Sequence, residues 1–328
     1  MEKPSHVATA DGKQASHRIA VVTGGNKGVG LEVCRQLAAQ GVTVILTARD
    51  EKRGKDAVES ICRESNLSNV VFHQLDVRDD SSVAALARHI ESRYGELDIL
   101  VNNAAVVGVA ADEEGLKALN LDAETWTSGR AATVLKDVFQ NTYEVARDCL
   151  DTNYYGCKRV TEALLPLLKL SKSGAKIVNA SSLASELKRM PNEELRKDLS
   201  NIDIWDEARI EAVLNTFMDD LKNGRLEEAG WPAMLPAYSV SKMVINLYTR
   251  ILARRYPEMR VNCDRHQLEP GDPDAGAGRE GPGHAGPAPS GRTDRVLLRS
   301  DGDGECLVVS VHWIVCSYVM FKTSYGPA

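Results

Sequence analysis

No two of the seven cysteines stand in a C-x-x-C pair, and their number is odd (Cys34, Cys62, Cys149, Cys157, Cys263, Cys306 and Cys316). That scatter speaks against a disulfide framework and against a zinc site, and suits a reducing compartment. Clusters of Lys and Arg are also missing, and the net charge is −6. A nucleic acid is therefore not the expected partner. The first 17 residues lack the apolar core of a signal peptide, so the expected location is the cytoplasm. Large aliphatic residues nearly vanish between 264 and 295, where Leu268 stands alone and more than a third of the positions are Gly or Pro. The apolar run Cys306–Phe321 is shorter than the ~20 residues that a membrane-spanning helix needs, so no membrane association is expected.

What the chain does have is alternation. Arg18–Val22, Val42–Thr47, the stretch from Asn69, the stretch from Leu97, residues 175–181 and residues 259–263 read as short apolar strands. Between them, residues 28–40, 51–64, 81–93, 143–170 and 237–256 read as helices. Apolar strands alternating with amphipathic helices predict an α/β protein with a doubly wound parallel sheet of the Rossmann type. Two segments interrupt the pattern, residues 108–138 and 183–235. The second holds a helix with Ile210, Val213, Leu214, Phe217, Met218 and Leu221 on one face. The predicted organisation is a disordered N-terminus over 1–16, one domain over 17–263 carrying both insertions, and an aberrant tail over 264–328.

The string "VVTGGNKGVG" falls where the first strand turns into the first helix. Glycines let the backbone approach a ligand closely, and a helix N-terminus offers free N–H groups to a pyrophosphate. The second strand ends "LTARD". Arg49 there, with Lys27 in the glycine turn, favours a cofactor bearing a 2′-phosphate, whereas Asp50 is the residue that would favour a free ribose hydroxyl.

Tyr238 and Lys242 in "YSVSK" lie one helical turn apart. A phenol with a pKa near ~10 becomes a useful acid/base beside an ammonium group. The paired serines Ser181 and Ser182 end a strand and offer hydroxyls to a carbonyl oxygen. Asn153 sits on an inward helical face, where its amide needs a specific partner. "NNAA" at 102–105 leaves the fourth strand at the end where ligands bind in open parallel sheets.

Taken in order, these motifs resemble the short-chain dehydrogenases/reductases. They are T-G-x-x-x-G-x-G at Thr23–Gly30, D-V at Asp76–Val77, N-N-A-A at 102–105, N-x-x-G at Asn153–Gly156, S-S, Y-x-x-x-K and R-V-N-C at 260–263. More narrowly, the chain is similar to plant carbonyl reductases of the menthone/neomenthol and salutaridine reductase type. The resemblance implies NADPH-dependent reduction of a ketone or enone carbonyl, with Ser182 binding the carbonyl oxygen and Tyr238 donating the proton. Lys242 would hold the nicotinamide ribose, and Asn153 would anchor a relay water. Thr23, Gly24, Asn26, Lys27, Gly28, Val29, Gly30, Arg49, Asp76, Val77, Asn103 and Ala104 would line the NADPH/NADP+ site, with Asp76 at the adenine. It also implies a monomer, because the insertion covers the face related enzymes use to assemble.

The resemblance ends at Cys263. Residues 291–305 can be written in codons that, read one base later, give D-G-P-T-G-C-Y-F-D-R-T-E-M-G, similar to the family's final strand. A frame-shifted origin of the tail is the expectation. The alternative left open is a chain that binds NADP(H) and catalyses nothing, its last strand and substrate wall having been displaced.

Overall fold

The computed structural model describes residues 18–111 and 139–263. The predicted N-terminal extension, most of the first insertion and the whole tail from Asp264, including the apolar run Cys306–Phe321, lie outside the described residues.

Six parallel strands form one sheet: β1 (Ile19–Val22), β2 (Thr43–Ala48), β3 (Val70–Gln74), β4 (Ile99–Asn102), β7 (Lys176–Asn179) and β8 (Arg260–Cys263). Their order is β3-β2-β1-β4-β7-β8. The order reverses between β1 and β4, which opens a crevice beyond the carboxyl ends of those strands. β5 (Ala110–Ala111) and β6 (Phe139–Gln140) pair antiparallel and bring the ends of the first insertion together.

β1 is buried along its whole length because helices cover both faces of the sheet. Its side chains alternate between the two cores. Ala20 and Val22 join the core under α1 (Gly28–Ala39) and α2 (Glu51–Ser65). Ile19 and Val21 face the larger core. That core packs under α3 (Asp80–Arg93), α4 (Tyr143–Leu150), α5 (Gly156–Leu168) and α8 (Pro236–Arg255). Such alternation follows from the two-residue period of a strand.

The expected long helix at 143–170 is present, but a π-helical stretch, Asp151–Tyr155, joins α4 to α5. Periodicity did not reveal it. Insertion 183–235 holds the expected amphipathic helix as α7 (Glu207–Lys222), with Ile210, Leu214 and Phe217 buried. It also holds an unforeseen short helix, α6 (Glu193–Ser200), which buries only Leu199. Among the described residues no helix is long and apolar enough to cross a membrane.

Candidate active site

The glycine turn is shaped by three close approaches. Gly24 has φ +64°, and a Cβ there would lie 3.0 Å from Ala104 Cα. A Cβ on Gly30 would fall 2.4 Å from Asn103 Nδ2 and 2.5 Å from Gly24 O, so only glycine fits. Gly28, at φ +58°, has open space where its Cβ would be. Thr23 binds the turn to the end of β4: its Oγ1 accepts from Asn103 N at 2.9 Å and Ala104 N at 3.0 Å. The Asn103 side chain donates back to Thr23 O at 2.9 Å and Gly24 O at 3.1 Å. In this structure Asn103 therefore holds the glycine turn in shape.

Val29 is buried at the start of α1, while Asn26 is half-buried and Lys27 exposed in the turn itself. Arg49 is exposed beyond β2. A cavity of about 560 Å³ lies beside it, lined also by His73, Gln74, Asp76, Asp79 and Ser81. Asp50 is committed elsewhere: it caps α2, accepting from Arg53 N at 2.8 Å. Asp76 Oδ1 accepts from Arg78 N at 3.0 Å, and its own N–H donates to Ser82 Oγ. Val77 is buried, and a Cβ on Gly156 would meet its Cγ2 at 2.7 Å, so Gly156 lets α5 approach this loop.

α8 carries the next group. Tyr238 is fully buried, and its Oη has no hydrogen-bond partner among the described residues. Burial pushes its phenol up to about 12, and the nearby Ser182 hydroxyl acts in the opposite direction. One turn on, Lys242 Nζ lies 5.6 Å from the Tyr238 ring centroid and donates to Ala180 O at 2.7 Å. Burial brings this lysine down to about 8. Ser182 Oγ accepts from Ala184 N at 3.2 Å. Ser181 Oγ instead lies 3.1 Å from Ser185 Oγ, inside the loop. Of the two serines, it is Ser182 that stands beside Tyr238.

Asn153 sits in the π-helical stretch. Its Oδ1 accepts from Val106 N at 2.8 Å, and its Nδ2 donates to Val106 O and to Ser241 Oγ, each at 3.0 Å. The amide thus ties the segment after β4 to α8. Ser241 donates in turn to Tyr238 O at 2.7 Å. Cys149 lies against this cluster, its Sγ accepting from Asn153 Nδ2 at 3.3 Å. Sequence reasoning passed over Ser241, Ser185 and Cys149. The first sits inside "YSVSK" but shows its meaning only once Asn153 is opposite it.

The site thus combines a glycine turn at the switch point, a mixed-charge pocket holding Arg49, Asp76 and Asp79, and a buried Tyr–Lys–Ser group. Residues 18–193 match the short chain dehydrogenase model. The chain is 47% identical over 259 residues to "Short-chain dehydrogenase/reductase 1" of Saponaria officinalis, covering 78% of this chain and 83% of that one. It is 46% identical over 251 residues to salutaridine reductase of Papaver bracteatum, covering 75% and 80%. The solved salutaridine reductase of Papaver somniferum superposes with a TM-score of 0.70 at 44% identity, over 75% of this chain and 85% of that chain. The menthone neomenthol reductase of Mentha piperita gives 0.68 at 42%, over 76% and 89%. The chain belongs to the short-chain dehydrogenase family and is built as an oxidoreductase.

Proposed function

We propose that this chain reduces a ketone or enone carbonyl of a small molecule, with NADPH as cofactor and Tyr238 as proton donor. The observation that carries the reading is the Tyr238 hydroxyl. It is buried, set beside the Ser182 hydroxyl and one turn from Lys242. Two hydroxyls side by side in a buried site, with a lysine one turn away, are the arrangement that general-acid chemistry on one carbonyl oxygen needs.

The residues present fit NADPH. A Cβ on Gly28 would meet nothing within 4 Å, so the glycine turn has open space there. Arg49 and Lys27 make no ion pair among the described residues, which suits a 2′-phosphate. With its carboxylate on the α2 N-terminus, Asp50 does not offer it to a ribose hydroxyl. When bound, NADPH supplies the hydride.

The protein's own groups do the rest. Ser182 Oγ, which accepts from Ala184 N beside Tyr238, is placed to bind the substrate carbonyl oxygen. Tyr238, held in its neutral form at pH 7 by burial, gives its proton to the same oxygen as negative charge develops there. The Lys242 ammonium then steadies the phenolate. Asn153 holds the segment after β4 in place, and a relay water beside it belongs to the same reading. The insertion helix α7 packs on α4 and α8, which supports a monomer.

Relatives point to the substrate class. Their names include salutaridine reductase, (−)-isopiperitenone reductase and (+)-neomenthol dehydrogenase, which favours an alkaloid or terpenoid ketone. A bovine carbonyl reductase [NADPH] at 34% identity favours the cofactor. The test is a panel of salutaridine and isopiperitenone with NADPH, and neomenthol with NADP+. NADPH consumption on at least one ketone is expected. Cofactor binding with no turnover on any member overturns the reading in favour of an inactive NADP(H)-binding chain.

A further inference from the structure

Tyr238 and Lys242 are four residues apart on α8, and the next position along that stripe is Asn246. All three are buried. Asn246 Nδ2 donates to Ser185 Oγ at 3.1 Å. Ser185 Oγ in turn donates to Ser182 O at 2.6 Å and lies 3.1 Å from Ser181 Oγ. A hydroxyl has one proton. With that proton on Ser182 O, Ser185 is the acceptor toward both Asn246 and Ser181, which makes Ser181 the donor of the serine pair.

The loop after β7 is thus fastened to α8 on either side of Ser182. Lys242 holds Ala180 before it, and Asn246 holds Ser185 after it. Ser185 N also donates to Ser182 O at 3.0 Å, closing a short turn under the serine. Neither Ser185 nor Asn246 touches Tyr238 Oη in any hydrogen bond of this network, yet both fix the backbone that carries the neighbouring hydroxyl.

We propose that Ser185 and Asn246 are positioning residues that set the Ser182 hydroxyl against Tyr238. The stripe on α8 then does three jobs at successive turns: it carries the proton donor, the cation and the anchor of the carbonyl-binding serine. The proposal rests on the carbonyl-reductase reading above. Misplacing a catalytic hydroxyl by about 1 Å can cost on the order of a hundredfold in rate.

The test uses the full chain and its Ser182→Ala, Ser185→Ala, Ser185→Thr and Asn246→Ala variants. Amide hydrogen exchange is read over 183–186 and over the glycine turn. The expected result is exchange about tenfold faster over 183–186 in Ser185→Ala and Asn246→Ala, with the glycine turn unchanged. On whichever ketone the chain reduces, Ser185→Ala should lower kcat about tenfold or more while NADPH affinity stays within about twofold. Ser185→Thr, which keeps the hydroxyl, should recover most of that loss. In a Ser182→Ala background, adding Ser185→Ala should cost little more, because its effect runs through Ser182. A merely structural role would slow both backgrounds alike, and that result overturns the proposal. Asn246→Ala reaches the loop from the other side and decides the matter where Ser185→Ala does not fold. If the chain reduces no ketone, exchange alone decides. Faster exchange upholds the clamp and leaves only the carbonyl reading to fall, whereas unchanged exchange overturns the clamp.

Discussion

Lys242 holds a charge in the interior, with Ala180 O as its hydrogen-bond acceptor. Burial brings its pKa down to about 8 in the folded chain, below the range of an unfolded lysine at about 10.4. Between those values the unfolded chain binds more protons, so stability rises with pH there. Below about 8 the full penalty of the buried charge stands. Replacing Lys242 by Met should therefore raise the melting temperature at pH 7 by several degrees, abolish reduction, and lose its stabilising effect as pH climbs above 8. A melting temperature lowered at pH 7 contradicts the sign. In the native chain the rate of reduction should fall as pH rises through about 8, where the ammonium is lost, while Tyr238 at about 12 stays protonated. At the other end of the site, Arg49→Glu should weaken NADPH about tenfold or more and NADH little, as expected for loss of a charge-assisted bond to phosphate. Equal losses for both cofactors remove the 2′-phosphate assignment.

The π-helical stretch is the element that separates what the sequence announced from what it did not. Strand–helix alternation announced the sheet, because β1, β2 and β4 are short, mostly apolar runs set between amphipathic helices. The stripe from Tyr238 to Lys242 was legible for the same reason of period. The π turn has no period of its own, and only the inward Asn153 hinted that the helix there was unusual. α6 went unread because the "EELRKDLS" segment buries a single leucine, although Asn192 before it caps the helix by accepting from Leu195 N at 2.9 Å. Long-range pairings were also invisible. Nothing local says that Asn153 will meet Val106, 47 residues away, or that Asn246 will meet Ser185. Asn153→Leu should leave Val106 N without its acceptor, at about 1–3 kcal/mol, and Val106 O with only the weak Cys149 Sγ donor at 3.5 Å. A drop in melting temperature of several degrees by calorimetry is expected, and no drop would mean that the segment after β4 is held by other contacts.

On the scale of the molecule, β8 pairs with β7 and, among the described residues, with no other strand. The frame reading of residues 264–328 predicts that the transcript across codons 255–310 carries C-Y-F-D one base out of the encoded frame. A transcript that encodes Asp264 onward without such a string contradicts it. The architecture otherwise converges on one point: the switch between β1 and β4 receives the glycine turn, and α8 brings Tyr238 to the same edge of the sheet. The measurement that tests this most directly is ketone reduction by Tyr238→Phe, with NADPH binding followed in parallel. Turnover should fall by at least about a hundredfold, the usual scale for a lost general acid, while NADPH affinity stays within a few fold. Turnover equal to that of the native chain would contradict the account, because the buried hydroxyl would then not be the proton donor.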